Sequence, residues 1–215
     1  TEFEGYAKRV ILQENLWQVE RARNSTDPMR ISVLIHDCIE RGKSNDCGGA
    51  RYNELEPNIL GMQNVTESLN VIKRIVFDEK RVTISELNKA LEKNFADNED
   101  LLLYIRNKVI HFGTGDKEAS RIAKKVADMV LKTFSSMKTV RGAKIIPGAF
   151  SYREHEIQGR TTPASPDGRK AGMPLNDGSC PVQGYDNLGP TLSLISTVYW
   201  EPSRFLGGTS VNVKI

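Results

Sequence analysis

The hydrophobic pattern of this chain changes near residue 140. Before that point apolar positions recur at three, four and seven residues, the spacing of a helix face; after it they fall into short runs between glycines and prolines. Phe3, Tyr6, Val10 and Trp17 predict a helix over residues 2–23 with one aromatic stripe and its charges on the other face. Residues 24–27 break it. Asp27 as N-cap and Pro28 in the first turn, where no amide bond is lost, restart a helix. Met29, Ile31, Val33, Leu34, Ile35, Cys38 and Ile39 leave that second helix apolar around much of its circumference, as expected of a core helix, and Gly42 supplies its stop.

Asn64-Val65-Thr66-Glu67 and Thr83-Ile84-Ser85-Glu86 both match the capping-box pattern. The first predicts a helix carrying Leu69, Ile72, Ile75 and Val76 inward and ending near Lys80. The second predicts one running to Phe95 through Leu87, Ala90 and Leu91, so that the two form an α-hairpin about Arg81-Val82. A short helix carries Leu101 and Ile105 toward Ile110. Asp116 then caps a long one ending near Met137, with Ala119, Ala123, Val126, Val130 and Phe134 on one face.

Beyond Arg141 the pattern predicts extended pieces at Ile145-Ile146 and at 149–152, interrupted by Pro147-Gly148. It also predicts a strand over 192–198 and, after Gly207-Gly208, an alternating strand through Val211, Val213 and Ile215. Residues 161–191 are so dense in Pro, Gly and Asn/Asp that no helix runs through them. A loop of that length inside a folded domain is either functional or disordered. The fold class is therefore α/β, in one domain segment over 1–215: residues 1–140 mostly helical, 141–215 strands and a long loop.

Composition narrows the function classes. Hydrophobic residues at 39% and charged residues at 27% exclude extended disorder, and a net charge of +3 from 30 basic and 27 acidic residues is too small and interspersed for a nucleic-acid surface. No apolar run approaches the length needed to cross a bilayer. Cys38, Cys47 and Cys180 match neither a disulfide framework nor a zinc pattern, and a reducing cytoplasm fits them.

The candidate chemistry is sparse. The run 111–116 lacks both a preceding strand and the Gly-Lys-Ser/Thr ending of a phosphate loop, and His111 has no second His or carboxylate at metal-ligand spacing, which makes it a surface or loop-packing histidine. His36 and His155 lack a Ser or Cys triad context. Glu154 and Glu156 flank His155 on an expected strand, where solvated charge competes with a shared functional face. Gly48-Gly49 lets backbone pass close to another segment, and Arg51-Tyr52-Asn53 sets a fork of donors beside an aromatic ring. Those residues read either as a loop whose Arg pairs with a nearby carboxylate or as part of a pocket wall. No residue is assigned a catalytic role.

Three runs carry a resemblance. They are Asp37-Cys38-Ile39-Glu40-Arg41-Gly42 with Gly48-Gly49-Ala50-Arg51-Tyr52-Asn53; then Phe112-Gly113-Thr114-Gly115-Asp116-Lys117; then Pro166-Asp167-Gly168-Arg169-Lys170-Ala171-Gly172 with Pro174-Leu175-Asn176-Asp177-Gly178, Pro181-Val182-Gln183-Gly184 and Gly189-Pro190-Thr191. In this order they resemble the glycyl radical enzymes of the pyruvate formate-lyase superfamily, on the dehydratase and lyase branch. The Gly-Cys-Val-Glu run of that family's thiyl cysteine and the Arg-Val-x-Gly-Tyr run of its radical glycine are both absent from the 215 residues. The chain thus resembles the interval between the two radical sites, and Cys180 reads as a substitution where the family carries a small residue.

The resemblance implies part of a ten-stranded α/β barrel, with no cofactor or metal held by this chain. The parent enzyme would cleave a C–O, C–N or C–C bond of a small substrate with a glycyl radical installed by an S-adenosylmethionine-dependent activating enzyme. Its partners would be the rest of the barrel or a complementing chain, with no nucleic acid and no membrane. Gly48, Gly49, Arg51, Tyr52 and Asn53, with Pro166, Asp167, Gly168 and Arg169, would be structural motif residues of a pocket wall, Arg169 anchoring the long loop. The alternatives are a non-catalytic truncated or split module that binds a partner chain, and a hydrolase built on Cys180.

Overall fold

A computed structural model describes residues 1–24 and 29–213. They divide into two compact units, Thr1–Pro57 with Val130–Pro147, and Asn58–Met129 with the chain from Gly148 onward. Among the described residues there are eight α-helices and no strand.

In the first unit α1 spans Glu2–Asn24 and buries Ala7, Ile11 and Gln18, spaced by four and seven residues. Phe3 meets Phe134 edge-on, with centroids 6.2 Å apart. The expected aromatic stripe is not the buried one. Tyr6 and Trp17 each precede a buried position by one residue, about 100° around the helix, and both are more than half exposed.

The expected second core helix is reduced to α2, Met29–Ser32, followed by turns over 33–42. Its N-cap at Asp27-Pro28 lies outside the described residues. After Ser32 the backbone closes i→i−3 turns, with Leu34 N–H on the Ile31 carbonyl and Ile35 N–H on that of Ser32, and Asp37 at φ +74°, a left-handed conformation that Asp tolerates better than most residues, keeps a helix from resuming. Arg51 Nη2 at 2.7 Å and Arg41 Nη2 at 3.0 Å hold its carboxylate there, and the Arg51 bond keeps that carboxyl below the usual range. Leu34 and Ile39 consequently face solvent while Cys38 is buried.

The Gly48-Gly49 loop behaves as its composition suggests. Ser44 Oγ accepts the Cys47 N–H and caps the short 3-10 turn Asn45–Cys47, which ends on left-handed Gly48. A Cβ on Gly49 would lie 2.0 Å from the Lys43 carbonyl oxygen, so no other residue fits. Arg51 pairs with the Asp37 carboxylate, and Tyr52 is exposed. Thr139 and Ala143 close a tight turn at Gly142, and Leu55 bridges Ile145 in parallel register.

In the second unit α3 is Met62–Ile72, continued by a π-helical turn over Lys73–Asp78. There follow α4 (Ile84–Glu92), α5 (Glu99–Lys108), α6 (Lys117–Ser135, its end in the first unit), α7 (Glu154–Thr161) and α8 (Pro190–Tyr199). Val71, Ile75, Leu87, Ala90, Phe95, Leu102, Ile105 and Val109 form the apolar core. The Thr83 capping box forms as expected, and Ala119 N–H donates to Asp116 Oδ1 at 2.8 Å at the start of α6.

Four expectations fail in this unit. Asn64 and Glu67 do not cap α3, which begins two residues earlier after Gly61; Leu69 is exposed. Residues 192–198 form α8, not a strand. Gly189 at φ +95° turns the chain, Pro190 fills the first turn, and a short apolar run reads as strand or helix equally well until those flanks decide it. Glu154, His155 and Glu156 lie in α7 rather than on a strand. The extended pieces near 145–150 and 209 make only isolated bridges, Ala149 to Thr209 and Asn58 to Gly148 in this unit, and the expected last strand does not form over 211–213, its end at Ile215 lying outside the described residues.

Candidate functional site

One stripe of α3 is polar and buried. Gln63, Asn64, Glu67 and Asn70 recur at one, three and four residues and are almost wholly enclosed. Burying such groups is costly unless each finds a partner; Gln63 donates from Nε2 to the Ser179 carbonyl oxygen at 3.2 Å and leaves its Oε1 unpartnered, and the partners of the other three define the site.

Glu67 Oε1 accepts the Phe112 N–H at 2.5 Å, and its Oε2 lies 3.0 Å from His111 Nδ1. His111 Nε2 is 2.9 Å from the Ile105 carbonyl oxygen, which can only accept, so that nitrogen carries a hydrogen. One proton therefore lies between Glu67 Oε2 and His111 Nδ1, and the pair is neutral on whichever atom the proton rests. Burial pushes the Glu67 carboxyl up, opposed by its bonds to His111 and Phe112. His111 is buried, which overturns the surface half of the expectation, and it packs between loops as the other half expected. Glu67 supplies its carboxylate from 44 residues away, where no local spacing would show it.

The His111 ring stacks on Tyr185 with centroids 3.6 Å apart and planes within 7°. Tyr185 donates from Oη to the Asp167 carbonyl oxygen, and burial holds the phenol well above its usual range. The Asp167 carboxylate accepts from Asn64 Nδ2 at 2.7 Å, Ser165 Oγ at 2.5 Å and the Arg169 N–H at 3.3 Å. Asn64 Oδ1 accepts the Asn176 N–H at 2.7 Å. Arg106 clamps the Gly168 carbonyl oxygen with two nitrogens, at 2.7 and 3.1 Å.

Arg169 spreads its donors over backbone carbonyls of its own loop: Met173 at 2.8 Å, Lys170 at 3.2 Å, Thr162 at 3.3 Å, and Pro163. The turn Pro166-Asp167-Gly168-Arg169 is thus sewn to α3, α5 and the Tyr185 ring. Gly48, Gly49, Arg51, Tyr52 and Asn53 belong to the other unit.

An open cleft of about 480 Å³ borders this network, lined by Arg106, Lys108, His111, Thr114, Asp116 and Tyr185 among others. Most of that chemistry is already committed. Arg106 holds Gly168, Asp116 holds Arg74 Nη2 at 2.7 Å, and His111 is spent on Glu67 and Ile105. The arrangement fixes a loop in place and presents no paired nucleophile and base.

A second cluster revises the expectation for His155. Ser151 Oγ lies 3.0 Å from His155 Nδ1 and donates to Asp177 Oδ1, while Asn212 Nδ2 holds Asp177 Oδ2 at 2.7 Å. The three residue types of a hydrolytic triad meet, in the wrong order. The serine hydrogen goes to the aspartate, so His155 donates to Oγ instead of removing its proton. Cys180 is also unsuited to attack: burial raises its thiol above the usual range, and Sγ donates to the Asp177 carbonyl oxygen at 3.0 Å. Iodoacetamide at neutral pH should alkylate exposed Cys47 first and leave Cys180 unmodified until the unit unfolds, a sequence that peptide mapping checks.

Asn64, Glu67 and Asn70 organise this buried network, and no motif in the sequence marks them for it. The three- and four-residue spacing of polar positions 63, 64, 67 and 70 is the signal the sequence offers, and the capping-box match obscures it.

Among the described residues no group of three His, Cys, Asp or Glu side chains could hold a metal ion, and no helix is long and apolar enough to cross a membrane. Residues 2–159 match the family described as pyruvate formate lyase-like. A (2S)-3-sulfopropanediol dehydratase of Klebsiella oxytoca is 32% identical over 99% of this chain and 26% of its own length. The glycerol-bound B12-independent glycerol dehydratase of Clostridium butyricum superposes with a TM-score of 0.89 at 32% identity, over 96% of this chain and 26% of that one. A glycyl radical enzyme of Archaeoglobus fulgidus gives a TM-score of 0.87 at 27% identity, over 95% and 26%. The chain spans about a quarter of the length of the relatives it matches.

Proposed function

Because this chain belongs to the pyruvate formate lyase-like family of glycyl radical enzymes, we propose that it is a wall-forming portion of such an enzyme, lying between the thiyl and glycyl loops and holding neither. The parent would perform radical C–O, C–N or C–C cleavage on a small substrate in the cytoplasm. Its radical would be installed by an S-adenosylmethionine-dependent activating enzyme.

The observation that carries this reading is the commitment of the buried polar groups to one another: the Glu67–His111 pair, the Tyr185 stack and the Arg169 clamp are spent on placing a loop. A thiyl radical abstracts hydrogen from unactivated carbon only in a closed cavity from which water is kept out, and rigid walls supply that closure. Pro166, Asp167, Gly168 and Arg169 hold the loop over that cavity in the proposal, and Gly48, Gly49, Arg51, Tyr52 and Asn53 belong to its outer wall.

A chimera tests the assignment. The 215 residues replace the matching quarter of the Clostridium butyricum glycerol dehydratase, and the product is activated anaerobically. The expected result is a glycyl radical signal with retained bond cleavage; a folded chimera that accepts the radical but turns over no substrate would reject the wall assignment.

A further inference from the structure

Helix α8 is inside out. Its ten residues, Pro190–Tyr199, carry no charge, yet the side it buries is Ser193, Ser196 and Thr197, at 3%, 1% and 2% exposure. The opposite side presents Leu194, Ile195, Val198 and Tyr199 to solvent at 43%, 56%, 66% and 48%. The spacing of one, four and five residues makes those four a continuous apolar strip.

The inversion is built in. Ser196 Oγ accepts the Gly115 N–H at 3.2 Å, and Thr197 Oγ1 returns its hydrogen to the Ser193 carbonyl oxygen, so two of the three buried hydroxyls are tied down where they are. Trp200, just past the helix end, is fully buried against Phe205 with centroids 5.3 Å apart. Beside the helix, Lys124 meets Glu201 at 2.7 Å, while Arg204 pairs with Asp128 and with Glu201. Rolling α8 over would bury the strip only by breaking these contacts.

We propose that the Leu194, Ile195, Val198 and Tyr199 strip is an interior contact of the parent polypeptide, covered by an uncharged, apolar segment of its remaining sequence. The assignment rests on the proposed function and names the surface through which this portion meets the rest. Two observations favour that occupant, the first against a charged partner and the second by supplying the cover. The strip and its helix offer no ionic group, and the neighbouring ions pair among themselves, so a polar partner has nothing to grip. The solved relative that superposes on 96% of this chain has about three quarters of its own length beyond the match, ample to supply the cover.

The test is carbene footprinting with a photoactivated diazirine, read by mass spectrometry on the α8 peptide. It is run on the 215-residue chain at low and high concentration and on the full polypeptide that its gene encodes. The expected result is strong labelling of the strip in the chain at both concentrations and a several-fold loss in the full polypeptide. Val198→Asp should leave the far-UV circular dichroism of the chain unchanged and restore labelling in the full polypeptide. Protection of the chain on concentration alone, with a dimer in sedimentation, would assign the strip to a second copy and overturn the proposal. Undiminished labelling in the full polypeptide would overturn it as well. Electron paramagnetic resonance on the same sample separates the two claims: a radical with an exposed strip rejects only the contact, and a protected strip without a radical rejects only the enzyme reading.

Discussion

Glu67→Ala is expected to cost the second unit about 3–5 kcal/mol, because removing one member of a buried, hydrogen-bonded pair strands the other. His111 Nδ1 and the Phe112 N–H would lose their acceptor in an interior where Glu67 has no exposed surface, and the Tyr185 stack rests on that imidazole. Glu67→Gln should cost much less. Its amide oxygen still accepts from Phe112, and its NH₂ donates to His111 Nδ1 while Nε2 keeps the Ile105 carbonyl. Urea unfolding followed by circular dichroism measures both variants.

The pH dependence carries a sign. The folded Glu67 carboxyl lies above its ordinary value of 4.5, so its contribution is full below that pH and is lost as the pH rises through the higher folded value. The Gln variant should lack that loss, and the gap between it and the parent protein should widen in its favour toward alkaline pH. A parallel pair of stability curves would remove the proton from between Glu67 and His111.

Arg169→Ala should loosen the long loop by about 2–4 kcal/mol, since several carbonyl oxygens lose a charged donor together. Thr162, Pro163 and Met173 lie on both sides of the Asp167 turn, so one guanidinium ties the ends of the turn to each other. Lysine should not rescue it, because a single ammonium cannot span the planar fork. Hydrogen exchange should rise across 162–178 with α4 and α5 unaffected, and trypsin should cut first after Lys170. Equal protection in the variant would mean that Asp167 and Tyr185 hold the loop unaided.

Much of this was legible from local pattern. Thr83 and Glu86 cap α4, Asp116 caps α6, and 162–189 is irregular because proline and glycine leave no alternative, the ends of the predicted loop at 161 and 190–191 being taken up by α7 and α8. The failures occurred where distant residues outvoted neighbours. Asp37 keeps the apolar run after α2 from resuming a helix because Arg51 and Arg41 hold it left-handed. Asn64 and Glu67 sit in the order of a capping box but are claimed by Asn176, Asp167, Phe112 and His111. Residues 192–198 carried too short an apolar run for periodicity to separate strand from helix, and Gly189-Pro190 decided for helix. The carboxylates beside His111 and His155 come from 44 and 22 residues away, separations that no motif spacing encodes, whereas Ser151 lies only four residues before His155.

The central claim is that these residues are architecture for a radical whose two centres lie elsewhere in a longer polypeptide. Anaerobic electron paramagnetic resonance after incubation with a glycyl-radical activating enzyme and S-adenosylmethionine tests it most directly. The full gene product should give the doublet of a glycyl radical, and the 215-residue chain alone should stay silent. A protein-centred radical formed on the 215 residues by themselves would contradict it.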